Sequence, residues 1–188
     1  MKNRSNIFYS RIVSYVAVAV LLIAISGWIK IPLPIPITFQ FATIALLCFL
    51  LGEYCTVAVS VYIVMGLIGL PVFAEGGGFS YVLNPTFGYL LGFLVGSFVC
   101  GKICTFGDVS TRLKPKRMIT AVGIFFVFVY LTGTVYGICI FNFYVEANAD
   151  FWYLMTVFVF NTLWKDVILC FVIIPLAKKL VPLIGLKK

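Results

Sequence analysis

Residues 69–93 read GLPVFAEGGGFSYVLNPTFGYLLGF. One acid, Glu75, three consecutive glycines, an asparagine and a Pro-Thr pair stand here between two long apolar runs. Pro71 predicts the end of the preceding helix, because proline lacks a backbone donor and clashes with the turn before it. Gly76, Gly77 and Gly78 permit positive φ and close backbone approach. Asn84-Pro85-Thr86 has the composition of a turn that opens a helix. The stretch is therefore an irregular loop between two helices, and the composition of the chain says what kind of helices they are.

Of 188 residues, 63% are hydrophobic and 11% charged, with a mean hydropathy of +1.14. Soluble domains carry about 25% charged residues, so the sequence is that of an integral membrane protein. Crossing hydrocarbon takes about 20 apolar residues as a helix. Windows of that character lie at 9–28, 37–52, 54–73, 87–104, 119–143 and 151–181. They predict an all-α integral membrane fold of six transmembrane helices in one domain spanning residues 1–188. Lys2, Arg4 and Arg11 before an apolar run, with Ala24-Ile25-Ser26 after it, have the look of a signal peptide. More membrane segments follow, so 9–28 is read as a retained first helix.

Charge orients these helices. The net charge of +8 is gathered in short clusters between apolar runs, which speaks against a nucleic-acid-binding face. With a cytoplasmic N-terminus, the inside receives Lys2, Arg4, Arg11, Lys102, Arg112, Lys114, Lys116, Arg117, Lys178, Lys179, Lys187 and Lys188. The outside receives Glu75, Glu146 and Asp150, with Lys30 its basic exception. This distribution obeys the positive-inside rule and predicts that both termini are cytoplasmic. RLKPKR, residues 112–117, is then most simply a positive-inside loop, with anionic-lipid binding the lesser, additional reading. Cys48, Cys55, Cys100, Cys104, Cys139 and Cys170 lie in or at the ends of apolar segments without a CxxC, and the chain has no histidine. They read as small hydrophobes, with no metal site implied.

Two further segments carry polarity or irregularity. In KIPLPIP, residues 30–36, prolines alternate with aliphatics, which denies a helix and favours extended backbone. Non-helical backbone is tolerated near a membrane at the interface or over a cavity, so this loop is a candidate lid facing the 69–86 loop. Inside the last apolar run stands NTLWKD, residues 161–166. Asn161 and Lys165 are i, i+4 and Thr162 and Lys165 are i, i+3, so the three share a face, with Asp166 offset from Lys165 by about 100°. Ionisable groups at that depth mark functional sites unless they neutralise one another as structural glue. The offset favours Lys165 as a ligand-facing donor over a partner of Asp166.

The segment GLPVFAEGGGFSYVLNPTFGYLLGF, preceded by IPLPIPITFQ and followed by NTLWKD, resembles the BioY family, the biotin-binding S components of energy-coupling factor (ECF) transporters. The likeness runs over nearly the whole chain. It implies a high-affinity substrate-specificity subunit of a vitamin uptake transporter in the plasma membrane, with biotin captured from outside. Its implied partners are a membrane scaffold (T) subunit and two cytoplasmic ATPase subunits. The chain lacks a G-x-x-x-x-G-K-[ST] phosphate loop, in keeping with that division of labour. It departs from the family pattern at Asn84, where Gly often precedes the Pro-Thr pair, and at Thr162, where an aspartate commonly stands three residues before the matched lysine, Lys165. Ser10-x-x-x-Ser14 with Ala17 and Ala19 is a loose form of the small-residue docking pattern in the first helix.

Biotin offers two ureido N–H donors, a ureido carbonyl, an apolar bicycle and a carboxylate tail. Asn84, Asn161, Thr162, Lys165, Asp166 and Gln40 supply matching polar groups. The tail carboxylate has Lys165 or Lys30 as alternative partners. Trp28, Phe39, Phe79, Tyr81 and Tyr89 suit the walls. No catalytic set and no cofactor is implied: an enzyme needs a nucleophile with its base, or metal ligands, and neither pattern is visible. A non-transport scaffold or channel subunit is the alternative, though it leaves two apolar irregular loops without a use.

Overall fold

The computed structural model describes residues 2–31, 36–106, 113–143 and 151–184. The heart of KIPLPIP, Arg112, Glu146, Asp150, Lys187 and Lys188 lie outside the described residues. The helices are α1 (Lys2–Trp28), α2 (Gln40–Leu51), α3 (Tyr54–Leu67), α4 (Phe87–Thr105), α5 (Pro115–Phe143) and α6, which runs as Phe151–Met155, a π turn at Thr156–Phe160 and Asn161–Ile184. Among the described residues, four apolar helical stretches are long enough to cross a membrane: Tyr9–Trp28, Phe87–Thr105, Pro115–Phe143 and Trp152–Leu183.

The second and third helices are shorter than the sequence predicts. At 1.5 Å per residue, α2 with 12 residues and α3 with 14 fall short of roughly 30 Å of hydrocarbon. Ile37 and Thr38, expected to be helical, instead form β2 (Ile37–Thr38), which pairs antiparallel with β1 (Lys30–Ile31). The prolines between them exclude a helix, while the flanking residues keep free N–H groups and can pair. Helix α3 stops at Leu67, ahead of Pro71. There Gly69 turns at φ 109°, its N–H reaching the Gly66 carbonyl and that of Leu70 the Met65 carbonyl, each at 3.2 Å. This paired bonding is the Schellman stop that a glycine after a helix makes possible. Proline was the visible breaker, but the glycine acts first. Helix α5 starts at Pro115, four residues before the expected Ile119, because proline is at ease in a first turn whose N–H groups have no helical partner.

Helix α2 is the central element and packs against α1, α3, α4 and α6. Its Ile44, Ala45 and Cys48 are fully buried, and Phe41 meets Phe125 of α5 at 5.0 Å between ring centroids. Helices α4 and α5 form the most extensive pair. Gly88, Gly92 and Gly96 put a bare strip on α4, and a Cβ at Gly92 would sit 2.3 Å from Thr132 Oγ1 and 2.7 Å from Val129 Cα. Without a hydrophobic force to join helices in lipid, close backbone contact through small residues supplies the attraction. At one end of the bundle the α2–α3 turn is fastened to α4, with the Glu53 N–H on Thr105 Oγ1 at 3.1 Å. Nearby, Arg117 of α5 donates to the Ile103 carbonyl. The hairpin and the 69–86 loop gather at the other end. Cys48, Cys55, Cys100 and Cys104 are buried free thiols, with Cys48 Sγ 3.5 Å from Cys55 Sγ.

Candidate functional site

Beneath the hairpin and the 69–86 loop lies a cavity with about 580 Å³ of space not filled by atoms, its part open to solvent included. Pro36, Thr38, Ala74, Tyr81 and Thr86 line it from the loop end; Gln40, Phe41, Tyr89, Phe93 and Tyr130 from α2, α4 and α5; Thr162, Lys165 and Asp166 from α6. Apolar walls with a few convergent polar groups are the usual build of a small-molecule site.

The 69–86 loop is folded around its polar residues. Gly78, at φ 108°, brings its N–H to the Gly66 carbonyl at 2.7 Å. Phe73 then packs on Gly66, where a Cβ would lie 2.0 Å from the ring. Asn84 donates to Glu75 Oε2 at 2.8 Å and accepts the Thr86 N–H at 2.9 Å and the Thr86 hydroxyl at 2.8 Å. Thr86 Oγ1 in turn lies 3.1 Å from the Tyr81 hydroxyl. Burial, reinforced by Glu75, pushes the Tyr81 phenol above its ordinary pKa, so it keeps its proton. The acid, the glycines, the asparagine and the threonine of this stretch thus brace a short wall that presents Tyr81 and Thr86 to the cavity. Two contacts tie the wall to the hairpin side: Trp28 Nε1 donates to the Pro71 carbonyl at 3.1 Å, and Lys30 Nζ donates to the Ala74 carbonyl.

The polar floor belongs to α6. Lys165 Nζ lies 2.7 Å from Asp166 Oδ1, with the two side chains 12% and 6% exposed, and also donates to the Thr38 carbonyl of β2. This corrects the expectation that the two residues point too far apart to pair. The angle between adjacent Cα–Cβ bonds does not limit a four-carbon stem, which folds across to the carboxylate, and a bare charge at this depth costs several kcal/mol. Tyr130 of α5 donates to Asp166 Oδ2 at 2.7 Å, and its oxygen is 3.1 Å from Thr162 Oγ1. Just upstream, Tyr89 of α4 donates to the carbonyl of Phe158 in the π turn, a group that the wider turn displaces from the regular helical ladder. Tyr89 can lie there because its neighbour is Gly133, where a Cβ would come within 2.5 Å of the ring.

Gln40, Tyr81, Tyr89, Thr162, Lys165 and Asp166 therefore come together, and the other candidates do not line the cavity. Asn84 is consumed in bracing the loop. Asn161 is half-buried at the junction of the π turn and the helix, so the shared face predicted for it does not continue into the cavity. Trp28 is 55% exposed and Phe79 77%, since their helical positions turn them outward. Phe39 stands at the margin, its ring centroid 6.0 Å from Lys165 Nζ. Gln40 lines the wall but is already engaged, donating to the Tyr62 hydroxyl at 2.6 Å. The sequence reading missed Tyr130, Phe41, Phe93 and Thr38. Tyr130 did leave a signal: in GIFFVFVY, residues 123–130, its hydroxyl requires a partner within hydrocarbon.

The chain is similar to known proteins along most of its length. The BioY family model matches residues 1–185. The chain is 34% identical over 167 residues to a probable biotin transporter BioY of Lysinibacillus sphaericus, covering 88% of this chain and 84% of that one. It is 47% identical over 83 residues to the biotin transporter BioY of Thermotoga maritima, 43% of this chain and 49% of that one. The crystal structure of the S-component for biotin from an ECF-type ABC transporter superposes with a TM-score of 0.71 at 26% identity, over 96% of this chain and 94% of that one. With a family match over nearly its full length, a relative similar throughout and a shared fold, the chain belongs to the BioY family.

Proposed function

We propose that this chain is the biotin-binding S component of an ECF-type vitamin uptake transporter, seated in the plasma membrane by six crossings with both termini cytoplasmic. The observation that carries the reading is the cavity: apolar and aromatic walls closing on one polar floor, in a member of a family whose relatives are biotin transporters. Phe41, Tyr89 and Phe93 suit the apolar bicycle and valeryl chain. Lys165, Asp166 and Thr162 offer donors and acceptors to a ureido group or a carboxylate. Glu75 and the braced loop lie on the outer side, where biotin enters. Docking to a scaffold subunit and two ATPases completes the cycle, because this chain carries no phosphate loop of its own. The test is calorimetric titration of biotin into the purified chain without ATP, paired with thermal unfolding. Heat with saturation and a raised unfolding temperature are expected; folded protein that gives neither at micromolar biotin refutes the assignment.

A further inference from the structure

The ion pair at the floor of the cavity has a third member on another helix. Adjacent residues of α6 form it, yet nothing on α6 alone fixes which way the Asp166 carboxylate turns. Tyr130 does so from α5. Its hydroxyl holds Asp166 Oδ2 at 2.7 Å, which leaves Oδ1 as the oxygen that faces Lys165 Nζ at 2.7 Å. The phenol itself has little freedom: its ring stacks on Phe126 at 4.4 Å and 21° and meets the Tyr89 ring edge-on at 6.2 Å. Tyr89 in turn is anchored on the π turn of α6. The position of the hydroxyl is thus set by α5 and transmitted through one carboxylate to the ammonium. We infer that Tyr130 is a positioning residue for ligand binding, acting through Asp166 to hold the Lys165 ammonium in its cavity-lining place. This rests on the reading that biotin occupies the cavity.

The test is a double-mutant cycle on the purified full chain: wild type, Tyr130→Phe, Asp166→Asn and both together, with biotin affinity measured by calorimetry and the unfolding temperature of the empty protein recorded for each. Phenylalanine keeps the ring and its stacking. Tyr130→Phe is expected to weaken biotin binding about tenfold, the scale of a hydrogen bond to a charged group. In the Asp166→Asn background, where the carboxylate it orients is gone, the same change is expected to alter affinity by less than about twofold. A merely structural or directly ligand-contacting tyrosine shows the same loss in both backgrounds, and that result overturns the inference. So does a Tyr130→Phe chain that binds normally, or one that no longer folds. Absence of biotin binding by the wild type is a different failure and strikes at the assignment of the ligand.

Discussion

At the scale of single residues, the decisive fact is that Lys165 and Asp166 neutralise each other and still line the cavity. The pair makes Lys165 both a binding group and a structural one. Lys165→Met is expected to weaken biotin binding by about ten- to a hundredfold and to destabilise the empty protein by about 2–4 kcal/mol, because it leaves a buried carboxylate without its counter-charge. Replacing both, as Lys165→Met with Asp166→Leu, is expected to recover most of the stability and none of the affinity. Calorimetry and thermal unfolding of the single and double variants check this; a single variant as stable as wild type rules out the structural half. The two charges were legible in the sequence because they interrupt an apolar run. Their pairing was not, because helical periodicity assigns a direction to each Cβ and says nothing of how far a flexible stem reaches. Tyr130 was hidden for another reason: it comes from a helix whose register against α6 only the folded chain provides.

At the scale of elements, the α4–α5 seam sets the distance between the cavity walls. Gly92→Ala places a methyl against the α5 backbone at Val129, with little room for either helix to give. The expected result is a loss of about 1–3 kcal/mol of stability with weaker biotin binding, since Tyr89 and Tyr130 sit on the two sides of that seam. Gly123, also on α5, has nothing within 4 Å of a built Cβ. Gly123→Ala is therefore expected to be neutral or to stabilise by up to about 1 kcal/mol through helix propensity. Thermal unfolding of the two variants side by side checks the contrast, and equal effects would mean that the seam is not tight. Hydropathy located the long helices of the described residues, because each is a sustained apolar run. It misplaced helix ends near the loops, where Ile37 and Thr38 look helical by polarity alone and where the stop after α3 depends on the backbone geometry of Gly69.

At the scale of the whole molecule, the two ends of the bundle differ in kind. One carries the hairpin, Glu75 and the braced loop; the other carries Lys102, Lys114, Lys116 and Arg117 around the ends of α4 and α5. In the orientation we propose from the positive-inside rule, the basic end faces the cytoplasm. In a chain whose native cysteines are replaced, a cysteine at Glu75 is expected to react with an impermeant thiol reagent on intact cells, and one at Lys116 only after the membrane is opened. Labelling of the Lys116 position from outside would invert the topology and turn the cavity toward the cytoplasm. The short α2 follows from its place: buried on most sides by its neighbours, it meets little lipid and has no need of full span.

The hydrogen bond from Lys165 to the Thr38 carbonyl bears on how readily the cavity accepts a guest. An ammonium has three hydrogens; the Thr38 carbonyl takes one, while Asp166 Oδ1 holds the charge at 2.7 Å as an ion pair. The stem of Lys165 is thereby frozen before any ligand arrives, so the rotamer entropy that a free lysine forfeits on binding, about 1.5–2 kcal/mol, has been surrendered during folding. An acceptor that meets a hydrogen the Thr38 carbonyl leaves over finds its donor already aimed. The strand that closes the loop end of the cavity also holds that donor still, so preorganisation of the site and integrity of the hairpin are one property.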